Sequence, residues 1–320
     1  MRKISAVSST FALLMATPAI AQDTQTAEYP SPNAIVEAAP PSDWVTIAPS
    51  DLLVMDLAPD AQGNPRRVII QLMPEPFSQG WIRNIRKLAA ARWWDGTSIN
   101  RVQDNYVVQW GDASEKKALP EGLETVPESE YLSKLTPIDS ESSNIYNSDP
   151  VSDATEAYRD DLYGKSLFGL GWPLGSGNNS LWPIHCYGAV GVGRNYSPDT
   201  GSGAELYTVI GHAPRHLDRN IAVVGRIVEG IEHLSSLPRG KGQLGFYEDA
   251  SKRVPITSLR LGDALAEDAP PAFEYLDTNS AIFAKYADAR ANRRDPFFIK
   301  PAGGADICNI PVPVRRVTGE

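Results

Sequence analysis

The chain has 320 residues and a formal net charge of −9. That acidic balance argues against nucleic acid as a partner, because phosphate binding needs clustered cations. The length allows one large domain or two small ones, and no stretch is long and apolar enough for a membrane helix.

The first residues read as an export leader. Arg2 and Lys3 give a positive front, and Ile4 to Ala16 is apolar or small but too short and interrupted to span a bilayer. "ATPAIA" ends in Ala-x-Ala, which predicts cleavage after Ala21 and an exported, periplasmic mature chain. The competing reading is a buried N-terminal helix. Residues 22–48, rich in Ala, Pro, Thr and acids, read as a flexible lead-in.

From Asp51 the pattern changes. "DLLVMDL" and "RRVIIQL" are β-rich runs, and the turn residues Asp60, Gly63, Asn64 and Pro65 between them predict a hairpin. In "PFSQGWIRNIRKLAAARWWDG" apolar residues recur at three- and four-residue steps, through Trp81, Ile85 and Leu88. This predicts a helix with Ser78 as its cap, ending at Asp95-Gly96. "INRVQDNYVVQWGD", Ile99 to Asp112, then alternates like a strand.

Residues 113–183 carry acids, Ser, Pro and Gly with only short apolar runs, and read as a long excursion from a compact domain. A two-turn helix is expected around "ATEAYRDDLYG". Strand-like runs resume at "CYGAVGVG", "AELYTVIG", "IAVVGRIV" and "ITSLRLG", with the amphipathic "EGIEHLSSL" among them. In the tail, 264–320, a polar linker "EDAPPAFEY" precedes a helix in "SAIFAKYADARA" and an extended end. Strands outnumber helices, so the chain is mainly β and antiparallel, with helices at the ends of the sheet.

The two cysteines, Cys186 and Cys308, have three readings: a disulfide, two buried thiols, or part of a metal site. The last needs histidines at suitable spacing, and Pro214 between His212 and His216 breaks the one helical pair. "NNS" at Asn178 and "NYS" at Asn195 match a glycosylation pattern, a short and cheap match. "GVGRNYSPDTGSG" lacks the spacing and following helix of a phosphate loop.

The order of these parts is itself informative. A hairpin, a helix ending in a short turn, and then x-x-R-x-x-x-x-[aromatic]-x-x-Q-x-G-D resembles the cyclophilin family of peptidyl-prolyl isomerases. "GAVGVGR", "SGAELYTVIG", "HLDRNIAVVGRIVEGIEHL" and "ITSLRLGD" follow in the family's order. The likeness covers about residues 50–112 and 184–263. It implies a closed eight-stranded antiparallel barrel capped by two helices. Residues 49–263 would form this domain, interrupted by the insertion 113–183 and followed by a C-terminal extension, 264–320.

The same resemblance assigns roles. Arg101 falls on the family's catalytic arginine, and Gln109 on the glutamine that holds substrate backbone. Tyr106, Val107, Tyr207 and Leu217 fall on the proline pocket, Tyr207 on the assumption of one extra residue in the loop. Glu205 stands where a glutamine is usual, Ile221 where a histidine is, and Arg194 where an asparagine binds substrate. His216, or Arg215, replaces the tryptophan that contacts cyclosporin, so weak cyclosporin binding is expected. Trp110 replaces the first glycine of "QGGD" and is expected to crowd the neighbouring strand or the groove.

The chemistry fits a site without a nucleophile. Rotation about an X–Pro bond breaks no covalent bond and costs only amide resonance, about 18–20 kcal/mol. An arginine donating to the proline nitrogen at the twist, beside an apolar pocket, would stabilise the rotating state. No metal or organic cofactor is required. Expected partners are extended or unfolded proline-containing segments of exported proteins. Two rival readings are a binding module or envelope chaperone that grips proline segments without turning them over, and a structural envelope protein acting through its tail.

Overall fold

The computed structural model describes residues 29–134, 160–161, 164–265 and 271–317. In chain order the elements are α1 (Pro32–Glu37), β1 (Trp44–Ile47), β2 (Leu52–Leu57), β3 (Arg66–Leu72), α2 (Gln79–Ala90), β4 (Ser98–Val102) and β5 (Val107–Gly111). Then come β6 (Ser133–Lys134), β7 (Asp160–Asp161), β8 (Gly164–Gly169), β9 (Trp172–Gly177), β10 (Ser180–Pro183), β11 (Ala189–Val192) and β12 (Leu206–Val209). The last are β13 (Val223–Glu229), α3 (Glu232–Ser235), β14 (Val254–Leu261), β15 (Phe273–Leu276), α4 (Ala281–Ala291) and β16 (Val314–Arg316).

Eight strands close into an antiparallel barrel in the order β11-β12-β5-β4-β14-β2-β3-β13, with β13 returning to β11. The expected hairpin is β2–β3, in register from Leu52 opposite Gln71 to Leu57 opposite Arg66. Its inward residues Leu53, Met55, Val68 and Ile70 join the barrel core, into which α2 sends Trp81, Ile85 and Leu88 and α3 sends Leu234. Its outward residues are buried as well. Leu52, Val54 and Ile69 pack against Ile47 and Phe273 from outside the barrel. Cover on both faces explains why these runs are continuously apolar instead of alternating.

That cover comes from segments outside the resemblance. β1, β15 and β16 form one antiparallel sheet, and β6-β10-β9-β8-β7 form another. A second core unites Trp44 and Ala39, Phe168 of the insertion and Ile184 just after it, and Leu276, Phe283, Tyr286 and Ile307 of the tail. Cys186 and Cys308 form a disulfide, Cα atoms 5.1 Å apart, so neither is a free thiol. The flexible lead-in therefore needs correction where it is described: residues 32–47 supply a helix and a strand paired in register with β15. The leader and its cleavage site lie outside the described residues. So does most of the helix expected around residues 154–164, of which Asp160–Asp161 is strand.

The linker "EDAPPAFEY" also ends inside a strand, because Phe273 and Tyr275 belong to β15. The tail helix is α4, capped by the Ser280 hydroxyl accepting from the Phe283 amide. Ser78 is not a side-chain cap. Its backbone is left-handed (φ 56°) and its hydroxyl donates to the Val223 carbonyl, fastening α2 to the barrel. The start of α2 is served instead by Glu130, which accepts from the Gly80 amide. No helix among the described residues is long and apolar enough to cross a membrane.

Candidate active site

Strand alternation places the site on the outer surface of the barrel. In β5, Val108 and Trp110 enter the core, while Val107, Gln109 and Gly111 face the other way. Trp110 is fully buried inside the barrel, so it does not crowd the groove, contrary to that part of the sequence-based expectation. Outside the barrel, Val107, Tyr207, Val209 and Val223 make a separate apolar cluster with Tyr106, Leu217 and Ile221 against it.

One cavity of about 780 Å³ gathers every residue expected at the site: Arg101, Tyr106, Val107, Gln109, Glu205, Tyr207, Leu217 and Ile221. A bulge in the β4–β5 pairing between Ile99 and Arg101 sets Arg101 opposite Gln109. Its Nε donates to the Leu244 carbonyl (2.7 Å), Nη1 to Gln109 Oε1 (3.1 Å) and Nη2 to Gln103 Oε1. Every one of these acceptors is neutral, and no carboxylate among the described residues lies within ion-pair distance. Three of the five guanidinium N–H groups are thus used for aiming, and two are left for a ligand. The Tyr106 and Phe246 rings flank the guanidinium at 5.8 and 5.4 Å. Burial lowers the Arg101 pKa.

The rim differs from the family pattern in informative ways. Arg215 is buried against Asp218, whereas His216 is exposed outside the cavity lining, its ring parallel to that of the pocket residue Tyr106 at 6.4 Å. Arg194 lines the cavity but spends its guanidinium on the Asn220 and Asn195 carbonyls. Glu205 lies across Gly111, whose φ of +151° and lack of a side chain make room; a Cβ there would sit 2.0 Å from the Glu205 carboxylate. The carboxylate accepts from the Asp112 amide (2.7 Å), and burial raises its pKa.

The resemblance did not point to Phe246 and Leu244. They sit on a loop where Gly245 (φ +83°) passes so close to Gln103 that a Cβ would lie 2.8 Å from its Cα. The available signal was an exposed aromatic in the glycine-rich run "RGKGQLGFYED". Behind the pocket, His185 and Asp218 carry no sequence signal, because they lie 33 residues apart and meet only in the fold.

Comparison with known proteins agrees with this architecture. A structure of cyclophilin AquaCyp293 from Hirschia baltica is similar over 88% of this chain and 96% of its own, with a TM-score of 0.64 and 21% identity. Two structures of a cyclophilin-type peptidyl-prolyl cis-trans isomerase from Cryptosporidium parvum match less well. One, in the presence of the dipeptide Ala-Pro, has 11% identity over 65% of this chain and 98% of its own and a TM-score of 0.36. The other has 11% identity over 66% and 96% and a TM-score of 0.37. No curated protein matches the chain significantly. The family model for cyclophilin-type peptidyl-prolyl cis-trans isomerases matches residues 62–261, well over half of the sequence. The chain therefore belongs to the cyclophilin-type peptidyl-prolyl cis-trans isomerase family.

Proposed function

We propose that the protein catalyses cis–trans isomerisation of X–Pro bonds in exported polypeptides. The observation that carries this reading is a partly desolvated guanidinium, free of any carboxylate among the described residues, beside an apolar slot that opens to solvent. A pyrrolidine ring seated on Val107, Tyr207, Leu217 and Ile221 leaves its nitrogen within reach of Arg101. At the twist that nitrogen regains its lone pair and becomes a better acceptor, so the hydrogen bond strengthens where the barrier is highest. One such donor lowers a barrier by about 3–4 kcal/mol. Gln109 holds the arginine in place through its Oε1, and its amide, which hydrogen-bonds Glu205, borders the groove where the substrate backbone would lie.

Export is supported by the leader pattern and by the disulfide, a cross-link that persists in oxidising compartments. His216 offers a smaller surface than a tryptophan, which supports weak cyclosporin binding. The binding-module reading draws on Arg194, which stands where the family pattern has an asparagine and whose guanidinium donates three hydrogen bonds to the Asn220 and Asn195 carbonyls. A protease-coupled proline-peptide assay separates the two. Turnover by the wild type that is lost in Arg101→Ala supports catalysis; an inactive wild type that still binds the peptide supports the module.

A further inference from the structure

Behind the pocket runs a chain of buried polar side chains. Tyr207 lines the cavity, and its hydroxyl lies 2.9 Å from Nε2 of fully buried His185, the two rings parallel with centroids 6.3 Å apart. Nδ1 of His185 lies 2.9 Å from Asp218 Oδ1, which also accepts from the His185 backbone amide. The other Asp218 oxygen accepts from Arg215 Nε at 2.7 Å. An ionised carboxylate only accepts, so Nδ1 carries a proton and donates to Asp218, while Nε2 and the Tyr207 hydroxyl share the second hydrogen bond.

Asp218 therefore acts on two walls at once. Through His185 it satisfies and orients the phenol of Tyr207. Through Arg215 it closes the turn Arg215–Leu217, which presents Leu217 to the groove. The outer end of the chain reaches the tail: Arg215 Nη1 is 3.8 Å from Asp306 Oδ2, and Asp306 accepts from the amide of Cys308, the disulfide partner of His185's neighbour Cys186. A phenylalanine at 207 would need none of this. A buried hydroxyl does, because leaving it without a partner is costly.

We propose that Asp218 and His185 are positioning residues of the proline pocket, holding the Tyr207 ring and the Leu217 turn in the shape that grips the pyrrolidine. This rests on the isomerase reading above. Because no hydrogen bond among the described residues joins Arg101 to the chain, disturbing it weakens the hold on substrate and spares the rotation step. The expected signature is a KM raised about threefold to tenfold with kcat within about twofold.

The test compares wild type, Asp218→Asn, His185→Gln and the double variant His185→Gln/Tyr207→Phe on one Ala-Pro-containing peptide, with circular dichroism and melting temperatures alongside. Both single variants are expected to raise KM. The double variant, which removes the hydroxyl left without its partner, is expected to regain part of the affinity lost by His185→Gln alone. If KM stays at the wild-type value in both single variants, or the double variant is as impaired as His185→Gln, the proposal is overturned. A wild type that binds without turnover would refute the isomerase reading instead, and the same comparison read as Kd would still decide on Asp218 and His185. Should Asp218→Asn fail to fold, rescue of His185→Gln decides by itself.

Discussion

Two arginines in this molecule sit in similar surroundings and do different work. Arg101, in the groove, lies between Tyr106 and Phe246 and donates to neutral acceptors. Arg226, at the seam between barrel, insertion and tail, lies over Trp172 at 4.4 Å and near Tyr275 at 5.9 Å. It donates to Gln71 Oε1 (2.9 Å) and to the Gly171 carbonyl (2.7 Å), and its Nη2 is shut off from solvent without a hydrogen-bond partner among the described residues. Burial pulls its pKa down to about 10. Aromatic flanks, neutral acceptors and a lowered pKa are thus common to both. The difference is the open cavity beside Arg101, into which a substrate nitrogen can come. A desolvated cation marks a site only where something can reach it; elsewhere it fastens layers together.

That contrast gives a graded set of expectations. Arg101→Ala has the largest effect on turnover, a loss of about 3–4 kcal/mol of transition-state stabilisation in kcat/KM, with the melting temperature little changed. Arg226→Ala reverses the pattern. It leaves the Gln71 and Gly171 acceptors unpaired, and denaturant titration is expected to show a loss of about 2–3 kcal/mol, while kcat/KM per folded molecule stays at the wild-type value. A fall in specific activity there would erase the distinction between the two arginines. Gln109→Ala removes one aiming contact to a charged group, worth about 1.5 kcal/mol or roughly tenfold in kcat/KM.

The smallest effect is at Glu205. Burial raises its folded-state pKa, so the native state holds its proton more tightly than the unfolded chain, and the stability difference falls as pH rises through that window. Glu205→Gln is therefore expected to stabilise the protein at neutral pH, by a gain that fades as pH drops to the ordinary carboxylate range. Thermal melts at several pH values check this; a gain that is constant with pH would contradict it. Asp112 has the opposite sign. Burial pushes its pKa up, but the amides of Lys117, Ser114 and Lys116 and the Ser114 hydroxyl outweigh that and bring it to about 2. Its contribution is present above the usual carboxylate pKa and is lost as pH falls from there to about 2.

The groove was legible because its residues are local in sequence. Arg101, Tyr106 and Gln109 lie on one hairpin, where period-2 alternation and a turn carry most of the geometry. Trp110 shows the limit. A large residue in place of glycine looked obstructive, yet strand alternation turned it into the core. The outer layer was far less legible. Residues 29–47, the strands after Ser133 and the tail each lack enough apolar surface to look folded alone, and only together do they bury Trp44, Phe168 and Phe283. The continuous apolar runs of β2 and β3 were the one local sign that something covers the barrel's outer face. His185 and Asp218, 33 residues apart, meet through barrel closure and leave no short-range signature.

The central claim is that the Arg101 guanidinium stabilises a half-rotated prolyl amide, and exchange NMR on a proline peptide at equilibrium tests it most directly. With catalytic amounts of the wild type, exchange peaks should link the cis and trans resonances. With Arg101→Ala they should vanish while peptide shifts still report binding. Undiminished exchange in Arg101→Ala, or none with a wild type that binds, would contradict the account.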